Sequence, residues 1–110
     1  MRIIAPSVLS LDYSKMSETM QELNDSFAKW VHYDVMDGHF VENITFGPDI
    51  LKGFRALTDN YLDVHLMIDN PQKYASSFIK AGADGITFHS ECFDSSPAMA
   101  DFIDELHQQN

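Results

Sequence analysis

Two short stretches of this sequence set histidine and carboxylate side chains two positions apart: His32, Tyr33, Asp34, Val35, Met36, and then Asp63, Val64, His65, Leu66, Met67. In an extended chain the side chains alternate faces, so His32, Asp34 and Met36 share one face and Asp63, His65 and Met67 share another. Imidazole nitrogens and a carboxylate oxygen brought together from adjacent strands can hold one divalent cation, and that donor mix suits Zn²⁺, Fe²⁺, Co²⁺ or Mn²⁺. The plainer reading makes His32 and His65 interior histidines satisfied by hydrogen bonds. Recurrence of the pattern in two segments, each closed by a methionine, weighs against it. Met36 and Met67 offer either an apolar, water-poor wall to such a site or ordinary core filling.

Positioning these groups needs strands, and the chain supplies them in alternation with helices. Ile3 to Leu9 is an apolar, β-branched run, followed by Met16, Met20, Leu23 and Phe27 at helical spacing. Trp30 to Val35 reads as the next strand, and after a loop through Gly47, Pro48 opens a helix with Ile50, Leu51, Phe54 and Leu57 on its stripe. Tyr61 to Met67 is a third strand. Asn70 and Pro71 then supply an N-cap and first-turn proline for a helix carrying Tyr74, Ala75, Phe78 and Ile79, which Gly82 ends. Gly85 to His89 is a fourth strand, and Ser96 with Pro97 starts a last helix through Met99, Phe102, Ile103 and Leu106. Alternation without hairpin signals predicts an α/β fold with parallel strands and right-handed crossovers, as one domain over residues 1–110. Four units of about 27 residues fit either a small open doubly wound sheet or half of an eight-stranded barrel of roughly 250 residues. In both, the C-terminal ends of the strands face the ligand.

The bulk properties narrow the partners. A formal charge of −10 and a pI near 4.6 repel nucleic-acid phosphates and anionic lipid, so neither nucleic acid nor a membrane surface is expected. Cys92 is the only cysteine, which excludes an internal disulfide, suits a reducing compartment and is too isolated to make a zinc site with His89. No apolar run approaches a membrane span, and MRIIAPSVLS has no convincing signal-peptide core, so the expected location is the cytoplasm. Among the remaining polar residues, Asp37 is expected to fix the loop after the second strand through backbone hydrogen bonds. His39 reads as a loop residue, His89 as structural or as a neighbour of the site, and His107 as a last-turn cation suited to the helix dipole.

The stretches APSVLSLDY (5–13), VHYDVMDGHFVENITFGP (31–48) and DVHLMI (63–68), with the looser GADGITFHSE (82–91), closely resemble the signature segments of the ribulose-phosphate 3-epimerase family. The resemblance implies a TIM (β/α)8 barrel, here its first four β/α units. It implies His32, Asp34 and His65 as ligands of one divalent metal ion. Asp34 would also be one of two acid/base carboxylates, and Ser7, His65, Met36 and Met67 would contact a phosphorylated ketose substrate. The implied reaction inverts C3 of D-ribulose 5-phosphate to give D-xylulose 5-phosphate, an isomerase step of carbohydrate metabolism in the pentose phosphate pathway. Removing a proton alpha to a carbonyl and returning one to the opposite face requires two bases and a means of stabilising an enediolate.

The same resemblance assigns a second aspartate and glycine-rich phosphate loops to a second half that these residues do not include. The charge balance then follows, since the positive potential for phosphate belongs to that half. Four units alone would leave open strand edges, so the chain is expected to form a homo-oligomer or pair with a C-terminal half, and to have little activity by itself. Glu42 stands where the family usually has proline, which loosens the loop and adds a negative charge near the site. The alternatives are an allulose-6-phosphate 3-epimerase, which this half does not separate, and a non-catalytic, self-associating half-barrel. Related barrels that decarboxylate or condense use lysine where Met36 stands, which disfavours them.

Overall fold

The computed structural model describes residues 1–109; Asn110, to which the expected domain extends, lies outside the described residues. Three parallel strands form one sheet in the order β1 (Trp30–Met36), β2 (Tyr61–Met67) and β3 (Gly85–Thr87). Four helices accompany them: α1 (Met16–Asn24), α2 (Pro48–Leu57), α3 (Pro71–Ala81) and α4 (Ser96–Gln108).

Burial alternates strictly along β1 and β2, with Val31, Tyr33, Val35, Leu62, Val64 and Leu66 on the buried face. That face joins one apolar core with Met20 of α1, Leu51 and Phe54 of α2, Ala75 and Phe78 of α3, and Phe102 and Leu106 of α4. All four helices therefore bury their stripes against one side of the sheet. A doubly wound sheet is covered on both sides, whereas strands in sequential order with helices on one side are consistent with an arc of barrel wall. The opposite face carries His32, Asp34, Met36, Asp63, His65 and Met67, all half-buried.

Helix boundaries follow local chemistry. The side chain of Asn70 accepts from Lys73 N, Pro71 occupies the first turn, and Gly82 ends α3 at φ 121° with its N–H on the Ile79 carbonyl. For α4 the cap is Ser95, accepting from Ala98 N, one residue earlier than the sequence suggests. His107 does lie in the last turn of α4. Helix α1 stops at Asn24, so Phe27 falls beyond it and is fully exposed, not part of an apolar stripe.

The expected first strand, Ile3 to Leu9, does not form. It touches the sheet at a single parallel bridge, Ser7 with His32, supported by a 2.9 Å bond from His32 N to the Pro6 carbonyl. Val8 to Ser10 then coil into a 3-10 turn with Val8 buried. Ile3 and Ile4 are 57% and 65% exposed, so the β-branched run has no apolar surface to hold it extended along β1. The chain is thus an α/β unit of three strands, not the four expected. Its fourth expected strand, Gly85 to His89, is likewise shortened to Gly85–Thr87.

Candidate metal centre

Strand register brings the two chemical motifs face to face. His32 pairs with Asp63, Asp34 with His65, and Met36 with Met67. On the open face, one carboxylate oxygen, Oδ1 of Asp34, lies 3.0 Å from His32 Nε2 and 3.1 Å from His65 Nδ1. Across the trio, one ligand atom from each of His32, Asp34 and His65 lies within 4.8 Å of the others. Ligands about 2.0 to 2.2 Å from a divalent ion, at right or tetrahedral angles, are themselves about 2.8 to 3.6 Å apart. The two measured separations fall in that range, and two imidazoles with one carboxylate are a donor set such an ion accepts.

The hydrogen bonds of His32 are compatible with two arrangements. Its Nδ1 lies 2.8 Å from Asp63 Oδ2 while its Nε2 faces Asp34, so both ring nitrogens meet carboxylates. A neutral imidazole has one N–H and satisfies only one of them as donor. Either the ring is protonated and donates twice, or Nδ1–H goes to Asp63 and the Nε2 lone pair meets a cation shared with Asp34. Burial disfavours the imidazolium. The hydrogen bond to Asp63 and the charges of Asp34 and Asp63 outweigh that and raise the His32 pKa. The second arrangement is the carboxylate–histidine–metal relay that fixes a ligand's tautomer and orientation.

The other oxygen of Asp34 has a different neighbour. Ser7 Oγ donates to Asp34 Oδ2 at 3.3 Å, so the residue expected to contact substrate stands beside the expected base. Met36 and Met67 end β1 and β2 opposite one another and half-buried.

The loop that follows β1 is anchored back onto it. Thr45 Oγ1 accepts from Met36 N at 3.0 Å and donates to the Asp34 carbonyl at 2.9 Å, and Thr45 N bonds the Met36 carbonyl at 3.1 Å. Tyr33, buried on the helix side, donates to the Gly47 carbonyl at 2.8 Å and stacks on Phe46 with ring centres 4.3 Å apart. Asp37 takes the expected backbone role: Oδ1 accepts from His39 N and Phe40 N, and Oδ2 from Asp69 N, each at 2.9 Å. It joins the loops after β1 and β2. Glu42 is exposed in this loop.

Two further residues touch the trio. Asp63 shares a face with His65, but its partnership with His32 exists only through the β1–β2 register, which periodicity does not specify. His89 comes within 2.7 Å of His65, Nε2 to Nε2, from a segment just past β3. The thiol of Cys92 donates to the Ile68 carbonyl at 3.3 Å, and burial, with nearby acidic groups, raises its pKa. That environment makes it a poor nucleophile. No helix among the described residues is long and apolar enough to cross a membrane.

A family model described as the ribulose-phosphate 3 epimerase family matches residues 3–110. The ribulose-phosphate 3-epimerase of Synechocystis sp. is 52% identical over 89 residues, covering 81% of this chain and 39% of that protein. The Bacillus subtilis ribulose-phosphate 3-epimerase is 48% identical over 88 residues, 80% of this chain and 41% of that one. The chloroplastic ribulose-5-phosphate-3-epimerase of Arabidopsis thaliana is 46% identical over 89 residues, 81% and 32% respectively. The chain thus spans about two fifths or less of the length of these curated relatives.

Proposed function

The chain belongs to the ribulose-phosphate 3-epimerase family, and we propose that it carries the metal-binding, first-acid half of an enzyme that interconverts D-ribulose 5-phosphate and D-xylulose 5-phosphate. In this reading residues 1–110 are the N-terminal β/α units of a TIM barrel, and the open face of the sheet is its interior. The observation that carries it is the convergence of His32 Nε2 and His65 Nδ1 on Oδ1 of Asp34, at 3.0 and 3.1 Å, in a chain of this family.

His32, Asp34 and His65 would hold one divalent cation, of zinc, iron(II), cobalt or manganese. When bound, such a cation supplies Lewis-acid stabilisation of the negative charge that develops on the ketose oxygens. The two oxygens of Asp34 divide the work. Oδ1 faces the imidazoles, while Oδ2, which accepts from the Ser7 hydroxyl, would take the C3 proton from one face of the substrate. Met36 and Met67 close the same space with apolar thioethers, which strengthens electrostatics by excluding water. Reprotonation from the other face needs a second acid. The phosphate needs backbone or cationic donors, which a chain of charge −10 does not concentrate here. Both are assigned to the part of the relatives beyond the match.

A complementary half, or a second copy, would cover exposed Ile3 and Ile4 and extend the sheet past β3. The cytoplasm is the proposed location.

The test has two arms. The 110-residue chain alone, given ribulose 5-phosphate and each metal in turn, is expected to turn over no faster than a metal blank; rates like those of a full-length relative would refute the division of labour. A chimera continued with the C-terminal part of the Bacillus subtilis relative is expected to be active, and to lose that activity on Asp34→Asn. Running the chimera on allulose 6-phosphate as well distinguishes the two ketoses.

A further inference from the structure

The two ring nitrogens of His65 have different neighbours: Nδ1 lies 3.1 Å from Asp34 Oδ1, and Nε2 lies 2.7 Å from Nε2 of His89. The His65 and His89 ring centres are 4.9 Å apart with planes at 27°. That separation exceeds the nitrogen–nitrogen distance by about two imidazole radii. The nitrogens therefore point at each other along the line of centres, edge to edge, and the rings do not lie face on. Two ring nitrogens this close in plane require one N–H and one lone pair between them.

His89 is held for this contact. It lies two residues beyond Thr87, which pairs with His65 in the β2–β3 register, so its side chain reaches the same open face. The Phe40 ring packs on it at 4.9 Å between centres, and its carbonyl accepts from Cys92 N at 3.1 Å. On the far side of the ring, Glu91 Oε2 is 3.6 Å from Nδ1, too long for a hydrogen bond but a negative charge beside that nitrogen.

We propose that His89 is the positioning residue for His65: with a divalent cation on Nδ1 of His65, His89 Nε2 accepts the Nε2–H of His65 and keeps the His65 lone pair aimed toward Asp34. This rests on the metal reading above. An imidazole metallated at Nδ1 carries its one proton on Nε2, and the group it donates to sets its orientation. His89 must then offer its Nε2 lone pair and carry its own proton on Nδ1, toward Glu91. Without the cation, Nδ1–H of His65 donates to Asp34 and His89 supplies the proton between the rings. Passing to the cation-bound form moves one proton from Nδ1 to Nε2 on His65 and one from Nε2 to Nδ1 on His89. Both rings stay neutral and the proton count is unchanged.

The experiment compares the wild-type chain with His89→Gln, which keeps a side-chain acceptor, and His89→Phe, which fills the space without one. Co²⁺ affinity is read from the visible absorption of the bound ion, and histidine tautomers from long-range proton–nitrogen NMR of the Zn²⁺-loaded chain. We expect His89→Phe to weaken Co²⁺ binding by about 10- to 100-fold, His89→Gln to recover most of that loss, and wild-type His65 and His89 to be protonated on Nε2 and Nδ1. Equal affinity in all three chains, an equal loss in both variants, or His65 protonated on Nδ1 in the Zn²⁺ form overturns the assignment. The tautomer measurement uses the wild-type chain and stands even where a variant fails to fold. A wild-type chain that takes up neither Co²⁺ nor Zn²⁺ overturns the metal reading, and this inference with it; the other results overturn this inference alone.

Discussion

Replacing Asp37 with alanine should loosen the C-terminal ends of the two strands that carry the candidate ligands. The carboxylate accepts three backbone N–H bonds, from His39, Phe40 and Asp69, all at 2.9 Å. Bonds to a charged acceptor are worth about 1.5 to 3 kcal/mol when buried, but Asp37 is only partly buried and its donors can rehydrate, so about 2 kcal/mol for all three is the working figure. With a urea slope of about 1 to 2 kcal/mol/M, the Asp37→Ala midpoint at pH 7 should fall by about 1 to 2 M. The amides of Phe40 and Asp69 should exchange about 30-fold faster in the variant. Asp37→Asn keeps an oxygen for His39 and Phe40 but turns a donor toward Asp69 N, so it should lose about half as much.

The sign of the pH dependence provides the sharper check on Asp37. Burial works against its charge, yet the N–H donors from Asp69, His39 and Phe40, with the charge of His39, outweigh it and hold the carboxyl below its usual range. A carboxyl depressed in the folded state contributes fully above its unfolded value, about 3.9, and that contribution fades as pH falls through the folded value. The wild-type and Asp37→Ala stabilities should therefore differ at pH 7 and converge in acid, below about pH 4. A constant gap from pH 7 into acid, or no gap at pH 7, would show that the three bonds contribute nothing through the charge.

Asp34→Asn should weaken divalent-cation binding by more than the about 100-fold that loss of an outer partner can cost, measured by isothermal titration, because it removes the only carboxylate of the trio. Arg55→Lys should cost about 2 to 3 kcal/mol in urea unfolding, since Arg55 donates to the carbonyls of Gly82, Thr58 and Asn60 and to Asp84 Oδ2. Cation affinity should not change with it, because these partners sit at the N-terminal ends of β2 and β3. Gly82→Ala should destabilise by about 1 to 3 kcal/mol, as φ is +121° there and a Cβ would meet Arg55 Cδ at 2.5 Å; an unchanged melting temperature would contradict this.

What the sequence made legible was whatever depends on neighbours along the chain. Alternation in 30–36 and 61–67, the Asn70–Pro71 start and the Gly82 stop of α3 are all local signals, and each is where expected. Ile3 to Leu9 misled because β-branched residues favour a strand only when another surface covers them, and Ile3 and Ile4 have none. Phe27 misled for a related reason: it continues the spacing of α1, yet the helix has already ended at Asn24. The trio of His32, Asp34 and His65 was readable because period and motif agree. His89, read as structural or as a neighbour of the site, lies against His65. The pairing of Asp63 with His32 was not readable, since it depends on which residue of the neighbouring strand lies opposite, a fact of register and not of spacing.

Register is therefore the quantity on which the candidate site depends. A slip of one residue between β1 and β2 would turn Val31, Tyr33 and Val35 out of the core, so the apolar face forbids every odd shift. It does not forbid a shift of two, which keeps the same faces but sets Asp34 opposite Asp63 or Met67 in place of His65. Such even shifts are opposed by contacts that occur once, at the two ends of the strands. At the base, Trp30 stacks on Tyr61 with ring centres 4.1 Å apart, Tyr61 N bonds the Lys29 carbonyl at 3.0 Å, and Asn60 Nδ2 bonds the Ala28 carbonyl at 3.2 Å. At the top, Asp37 reaches across to Asp69 N. The candidate ligands add two cross-strand contacts in the same register, His32 Nδ1 to Asp63 Oδ2 at 2.8 Å and His65 Nδ1 to Asp34 Oδ1 at 3.1 Å. The aim of the site is thus set in part by aromatic and backbone contacts at the strand ends, outside the candidate trio.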